Sequence, residues 1–155
     1  SLHWFTGYLN QETPSIGGGY YRSGDLAERG PDGHLSFVGR NDDVITSSGY
    51  RIGPFDVERA LLEHPAVMDA AVFGIPSDEW GEEVKAVVQP VAMPADEAGA
   101  DALTADLLAH CRVHLADLKC PRSIDLRPEL PRHDTGKLYK RLLRDEYAQQ
   151  AAGTT

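Results

Sequence analysis

Apolar and polar positions change rhythm several times along the chain. Residues 1–19 carry aromatics (Trp4, Phe5, Tyr8) and a glycine triplet (Gly17, Gly18, Gly19) with no helical period, which reads as loop and turn. From residue 20 to 40, two short extended runs flank Pro31-Asp32-Gly33. Proline presets that turn and glycine relieves it, so a β-hairpin is expected. Asn41-Asp42-Asp43 forms a polar link, Val44-Ile45-Thr46 a short strand, and Ser47-Ser48-Gly49 a turn. After Gly53-Pro54, the apolar positions Phe55, Val57, Ala60 and Leu61 recur at helical spacing, and Pro65 closes that helix.

Strand-like runs follow over 67–75 and 84–91, separated by a loop whose carboxylates (Asp78, Glu79, Glu82, Glu83) read as a solvated turn. Residues 93–101, rich in Ala, Pro and Gly, predict an exposed loop. From Leu103, the positions Leu107, Cys111, His114 and Leu118 step by three or four and define one buried helix face. A strand over 123–126, a turn over 131–136 and a helix over 138–147 with Leu138, Leu142 and Leu143 inward complete the pattern.

The order strand, helix, strand, strand, helix, strand, helix implies an α+β fold: a small domain over 42–148 with a short central sheet flanked by helices. Residues 149–155 read as a flexible tail. The first forty residues cannot close a core of their own, and the chain starts at Ser1-Leu2-His3 rather than at methionine. Residues 1–41 are therefore expected to be the end of a larger N-terminal domain, a loop plus a β-hairpin.

Charge narrows the partners. The 155 residues carry 24 Asp+Glu against 15 Lys+Arg, a formal net charge of -9. A general nucleic-acid binder needs the opposite balance to displace counterions from phosphates, so nucleic acid is excluded as a partner. No apolar run reaches the roughly 18 to 20 residues of a membrane-spanning helix, so no transmembrane segment is expected. Cys111 and Cys120 are too few for a disulfide scaffold and lack metal-site spacing, which points to a reducing, cytoplasmic compartment. The acidity is uneven. Residues 130–144 hold Arg132, Lys137, Lys140, Arg141 and Arg144 against Asp134 alone, a local +4 that leaves -13 on the rest of the chain. Such a segment is a candidate anion site.

Three segments carry candidate chemistry. In Tyr21-Arg22-Ser23-Gly24-Asp25-Leu26, a carboxylate held after a glycine turn can accept hydrogen bonds from a vicinal diol, although a plain turn Asp is the commoner outcome. In Gly39-Arg40-Asn41-Asp42-Asp43 and Ser47-Ser48-Gly49-Tyr50-Arg51-Ile52-Gly53, glycines let backbone approach a ligand, while Arg40 and Arg51 can pair with hydroxyls or phosphates; alone, the stretch is a polar linker and loop. In Leu130-Pro131-Arg132-His133-Asp134-Thr135-Gly136-Lys137, the Thr-Gly-Lys triplet lacks the upstream glycine of a P-loop. A lysine on a glycine turn before a helix is still well placed to meet an anion, against the default of a solvated surface lysine. His110 and His114, at i and i+4, lack a third ligand nearby and are not read as a metal site. No metal ligands are assigned.

Taken together and in order, these segments resemble the C-terminal motifs of the adenylate-forming superfamily, which includes acyl-CoA synthetases, peptide-synthetase adenylation domains and luciferase. The carrying sequences are YRSGDL, GRNDDVITSSGYRIGPFDVE and LPRHDTGKLYKRLL. Ser48-Gly49, Gly53-Pro54-Phe55-Asp56 and Trp80-Gly81-Glu82-Glu83-Val84-Lys85-Ala86 are closer to medium- and short-chain acyl-CoA synthetases than to peptide-synthetase domains. Ser23 replaces the usual Thr and keeps the hydroxyl.

The resemblance implies activation of a small-molecule carboxylic acid by ATP with Mg2+, followed by transfer of the acyl group to coenzyme A. It implies Lys137 as the catalytic lysine at the substrate carboxylate and α-phosphate. Asp25 and Arg40 would hold the ribose, and Asp42 would be the hinge of domain rotation. Gly49, Tyr50, Arg51 and Arg112 would bind cofactor, with Gly49 leaving room for the pantetheine arm. The partner is then the chain's own N-terminal domain, which in the family binds most of the nucleotide and its magnesium, so this chain alone is expected to be inactive. Loading of a carrier protein is the alternative, and Lys137 is a candidate substrate for a protein lysine acetyltransferase.

Overall fold

The computed structural model describes residues 16–17, 20–21 and 24–153. Residues 1–15, the glycines at 18 and 19, and Arg22 and Ser23 of the first motif lie outside the described residues. The chain divides into two compact units, Ser1–Asp42 and Asp43–Thr155.

The first unit contains two antiparallel pairs. Strand β1 (Ile16–Gly17) pairs with β2 (Tyr20–Tyr21), and β3 (Asp25–Arg29) with β4 (Leu35–Arg40). The Pro31-Asp32-Gly33 turn joins β3 and β4. Gly33 has φ +82, the left-handed conformation that a side chain resists, and its amide donates to the Gly30 carbonyl at 2.9 Å.

The second unit is a five-stranded sheet sandwiched between helices. Strands β5 (Ile45–Ser47), β6 (Tyr50–Ile52), β7 (Val67–Ser77), β8 (Gly81–Pro90) and β9 (Ser123–Leu126) form the sheet. Its order is β6-β5-β8-β7, with β9 running parallel to β8. β7 and β8 are one long antiparallel hairpin and the spine of the domain. Ala70–Gly74 and Val84–Val88 are buried on consecutive residues, as a sheet covered on both faces requires.

Each face has its own core. Helices α1 (Pro54–Leu62) and α2 (Glu97–His114) cover one face, where Val57, Leu61, Leu107 and Cys111 meet Ile45, Val72, Val84 and Val88. On the other, α3 (Lys140–Ala152) lays Leu143 and Tyr147 on Ala71, Phe73 and Val87, with Leu130 beside them. One charged side chain, Lys85, is buried on the α3 side at 6% exposure. Its ammonium donates to Asp125 Oδ1 at 2.7 Å and Ser123 Oγ at 3.1 Å, and lies 5.2 Å from the centre of the Tyr147 ring.

Several local expectations change. Helix α2 begins at Glu97, inside the stretch read as a loop, because the Asp96 carboxylate caps it by accepting from the Gly99 amide at 2.8 Å. It ends at His114, which is exposed; Leu118 follows a 3-10 turn (Asp117–Lys119) and is 46% exposed, so neither extends the buried face. Leu138 belongs to a β-bridge with Arg132, so α3 starts at Lys140 rather than at 138. The shift turns Leu142 outward, and the helix continues through residues read as tail to Ala152. Phe55, placed on the buried face of α1 by its spacing, is 48% exposed.

Candidate functional site

In the first unit, the β3–β4 register places Asp25 directly opposite Arg40. The Arg40 guanidinium lies between two carboxylates, 3.7 Å from Asp25 and 3.5 Å from Asp42, with all three side chains substantially exposed. Gly24, at φ +79, gives the guanidinium its space, since a Cβ there would come within 3.2 Å of Arg40 Nη2. The Asn41 amide closes this end of the hairpin onto the Gly24 carbonyl at 2.7 Å. Carboxylates fixed around one guanidinium offer paired acceptors to a diol, the chemistry a ribose needs.

In the second unit, Ser48 (φ 51) and Gly49 (φ +80) form the two-residue turn between β5 and β6, both left-handed as a type I′ hairpin requires. The Ser48 amide donates to the Trp80 carbonyl at 2.9 Å, and Ser47 pairs with Gly81, which ties this turn to the start of β8. Nothing lies within 4 Å of where a Gly49 Cβ would be, so the tip is open as well as strained. Tyr50 and Arg51 follow it, both exposed.

Beside the turn lies an open notch floored by Leu118 and Cys120. One part is lined by Ser48, Tyr50 and Trp80, the other by Arg112 and Pro121, and Arg122 borders both. The Arg122 guanidinium stacks 4.4 Å above the Trp80 ring. Cys120 records the local field: burial and Asp117 raise its thiol pKa, and Arg112 opposes them. The fold thus brings Tyr50 and Arg112, read from separate segments, to adjoining pockets that share Leu118, Cys120 and Arg122, with Gly49 at the tip of the adjacent turn. Trp80 entered the sequence reading only within a segment resembling acyl-CoA synthetases and Arg122 not at all, so neither was assigned to the site. The acidic turn beside Trp80 is also more than solvated surface, since Glu82 accepts the Thr46 amide at 2.7 Å and lies over Gly74.

Lys137 sits elsewhere, on the loop that leads into α3. The loop is held in shape by the Arg132–Leu138 bridge, by the His133 amide on the Lys137 carbonyl (2.8 Å) and by the Tyr139 amide on the Pro131 carbonyl (2.8 Å). His133 and Tyr139 stack across its base at 4.0 Å. Gly136 supplies the positive φ, +84, at its tip.

The +4 segment is not a diffuse anion patch. Arg132 pairs with Asp69, Lys140 with Glu58 and Arg141 with Asp145, and Arg144 also has a partner. Of the five cations of this segment, the Lys137 ammonium alone forms no ion pair or hydrogen bond among the described residues.

His110 Nε2 donates to the Ala60 carbonyl at 2.8 Å and its ring packs on His114 at 4.3 Å, so this pair serves the α1–α2 contact. Burial, with Cys120 nearby, pushes the Cys111 thiol up to about 11. Among the described residues, no group of three or more His, Cys, Asp or Glu could hold a metal ion, and no helix is long and apolar enough to cross a membrane.

The pattern of AMP-binding enzyme C-terminal domains matches residues 56–137, from the start of α1 to the lysine itself. The chain belongs to the AMP-binding enzyme C-terminal domain family. This C-terminal domain is 47% identical over 127 residues to the mitochondrial acyl-coenzyme A synthetase ACSM4 of Rattus norvegicus, covering 82% of the chain and 22% of that protein. It is 42% identical over 135 residues to mitochondrial ACSM1 of Homo sapiens, covering 86% and 23%. The chain spans about a quarter of the length of the curated relatives it matches. Among solved structures, it resembles an acyl-CoA synthetase of Brucella canis (52% identity, TM-score 0.65, 96% of this chain and 27% of that one). It also resembles o-succinylbenzoate CoA synthetase of Bacillus subtilis in complex with its acyl-adenylate intermediate (32%, TM-score 0.74, 90% and 28%). The curated relatives are named as mitochondrial, which overturns the cytoplasmic expectation. Two unpaired cysteines do not identify a compartment.

Proposed function

We propose that this domain is the mobile C-terminal part of an ATP-dependent acyl-CoA ligase, serving adenylation with the Lys137 loop and thioester formation with the Gly49 notch. One observation carries the reading: Arg132, Lys140 and Arg141 of the basic segment are paired with carboxylates outside it and Arg144 has a partner, while no ion pair or hydrogen bond among the described residues engages the Lys137 ammonium on its braced loop. The motif resemblance and the acyl-CoA synthetase relatives give the chemistry.

In the first half-reaction the carboxylate of the acid attacks the α-phosphorus of ATP and pyrophosphate leaves. Charge grows on the phosphoryl oxygens, and Lys137 meets it there as a fixed cation. Single contacts of this kind are commonly worth about 3 to 4 kcal/mol. Asp25 and Arg40 hold the ribose hydroxyls, and Asp42, the last residue of the first unit, is the hinge. Mg2+ accompanies the nucleotide and is held mainly by the N-terminal domain.

In the second half-reaction the thiol of coenzyme A attacks the acyl carbon and AMP leaves. The open Gly49 tip admits the pantetheine arm, with Tyr50 and Arg51 following it on β6. The adenine ring of coenzyme A finds a flat apolar partner in Trp80, and its phosphates find Arg112 and Arg122. The lysine is also accessible to a protein lysine acetyltransferase, and acetylation would remove the charge that adenylation uses.

The test separates the half-reactions in the intact enzyme. Lys137→Ala is expected to reduce acid-dependent pyrophosphate release by about a hundred- to a thousandfold while thioester formation from preformed acyl adenylate persists. The 155-residue chain alone is expected to release no pyrophosphate. Normal adenylation by Lys137→Ala, or turnover by the isolated chain, would overturn the reading.

A further inference from the structure

The loop carrying Lys137 is pegged on both sides to one rigid strand. Five residues before the lysine, Arg132 forms an ion pair with Asp69 of β7, while its Nη1 donates to the Gly136 carbonyl at 3.1 Å. That carbonyl belongs to the peptide bond leading into Lys137. Three residues after the lysine, Lys140 opens α3 and pairs with Glu58 of α1. Glu58 Oε1 also accepts the Val72 amide at 3.0 Å. β7 is an edge strand, so this amide faces away from the sheet and the Glu58 carboxylate is its partner. Asp69 and Val72 are therefore the two points on β7 to which the ends of the lysine loop are tied, one directly and one through Glu58.

These contacts differ in kind from the rest of the loop. Its internal bridge and backbone bonds fix shape without fixing orientation on the sheet. Leu130, Leu138 and Leu143 hold it against the core, and apolar packing is non-directional. Ion pairs that also carry backbone hydrogen bonds supply direction. Both partners of the Glu58–Lys140 pair are only 18% exposed, so water screens it less than a surface pair.

We propose that Glu58 and Asp69 are positioning residues for Lys137, acting through Lys140 and Arg132, and that they serve adenylation and not thioester formation. The inference rests on the reading that Lys137 meets the phosphate. A positioned cation is sensitive to its mounting, because a displacement of about 1 Å can cost about a hundredfold in rate. Neither carboxylate needs to touch a substrate.

The experiment uses the intact enzyme and four variants, with both half-reactions measured separately. Glu58→Gln keeps an acceptor for the Val72 amide and deletes the charge facing Lys140. Lys140→Met deletes the other partner and leaves the Glu58–Val72 bond in place, and Lys140→Arg restores the charge. Asp69→Asn loosens Arg132. Glu58→Gln, Lys140→Met and Asp69→Asn are each expected to lower adenylation kcat by roughly tenfold, with ATP KM and thioester formation within about twofold of the parent. Lys140→Arg should recover most of the rate. The double variant Glu58→Gln/Lys140→Met should be no slower than either single, as two ends of one interaction require. Equal losses in both half-reactions, unchanged adenylation in folded variants, or unfolding of Lys140→Met would each overturn the proposal. Lys137→Ala in the same assay keeps the two readings distinct. If it is inactive in adenylation and the positioning variants are not, the mounting fails alone; if it adenylates normally, the assignment of Lys137 fails first.

Discussion

Lys85 and Asp125 form a pair whose members are unequally exposed, and removing one should not cost what removing the other does. The Lys85 side chain is 8% exposed and that of Asp125 42%. Lys85→Met keeps most of the aliphatic volume and deletes the charge. Asp125 then returns to water at its exposed edge, so the net change should lie within about 1 kcal/mol of zero, since exchanging a buried charge for apolar volume is often neutral or better. Asp125→Ala does the reverse and strands an ammonium among apolar side chains, with only the Ser123 hydroxyl and the Tyr147 ring left. An uncompensated buried charge costs about 3 to 5 kcal/mol. The ring returns about 1 of this. The expected loss is about 2 to 4 kcal/mol. Urea unfolding of the chain at pH 7, followed by circular dichroism, measures both. The double variant should regain most of what Asp125→Ala loses. A Lys85→Met penalty equal to or larger than that of Asp125→Ala would refute the reasoning, because the charge of Lys85 would then be a net stabiliser.

Alkaline stability should depend on Cys111. Its thiol pKa lies at about 11 in the fold against an ordinary 9.0, so between those values the native state holds a proton that the unfolded chain has lost. The stabilisation is complete below pH 9 and declines as pH rises towards 11, by about 3 kcal/mol in total; Cys111→Ala should flatten that part of the stability profile measured by denaturant titration. In the intact enzyme, Arg122→Ala and Arg112→Ala should each raise the KM for coenzyme A several-fold and leave pyrophosphate release unchanged, and an effect confined to adenylation would remove these arginines from the notch chemistry. Gly49→Leu should cost about 1 to 2 kcal/mol in thermal or urea stability from the left-handed backbone alone, because the space around its Cβ is open. It should also slow thioester formation more than adenylation.

The α+β class and the strands β7 and β8 were legible because two apolar runs of strand length bracket a short polar turn, and this pattern is local; that the two pair as a hairpin came from the structure. The Lys137, Gly49 and Asp25 segments were legible because each is a short motif containing glycines that the structure shows at positive φ. What escaped was set by competition or by distance. Asp96 caps a helix out of residues whose composition resembles a loop, and the Arg132–Leu138 bridge delays α3 by two residues and turns Leu142 outward. A helical period locates a face only when the helix start is known, and one hydrogen bond decides that.

Composition along the chain determined that a basic segment exists near residue 137; it could not say which of its charges are available. Glu58 and Asp69 lie more than sixty residues upstream, and only β7 and α1 bring them to Lys140 and Arg132. Likewise Trp80, Arg112 and Arg122 come from three separate segments and line adjoining pockets with Ser48 and Tyr50 when the sheet places the β5–β6 turn beside the start of β8. Local sequence sets which groups are present and which backbone turns are possible. Whether a charge is neutralised or left for a ligand depends on partners distant in sequence, and so on tertiary packing.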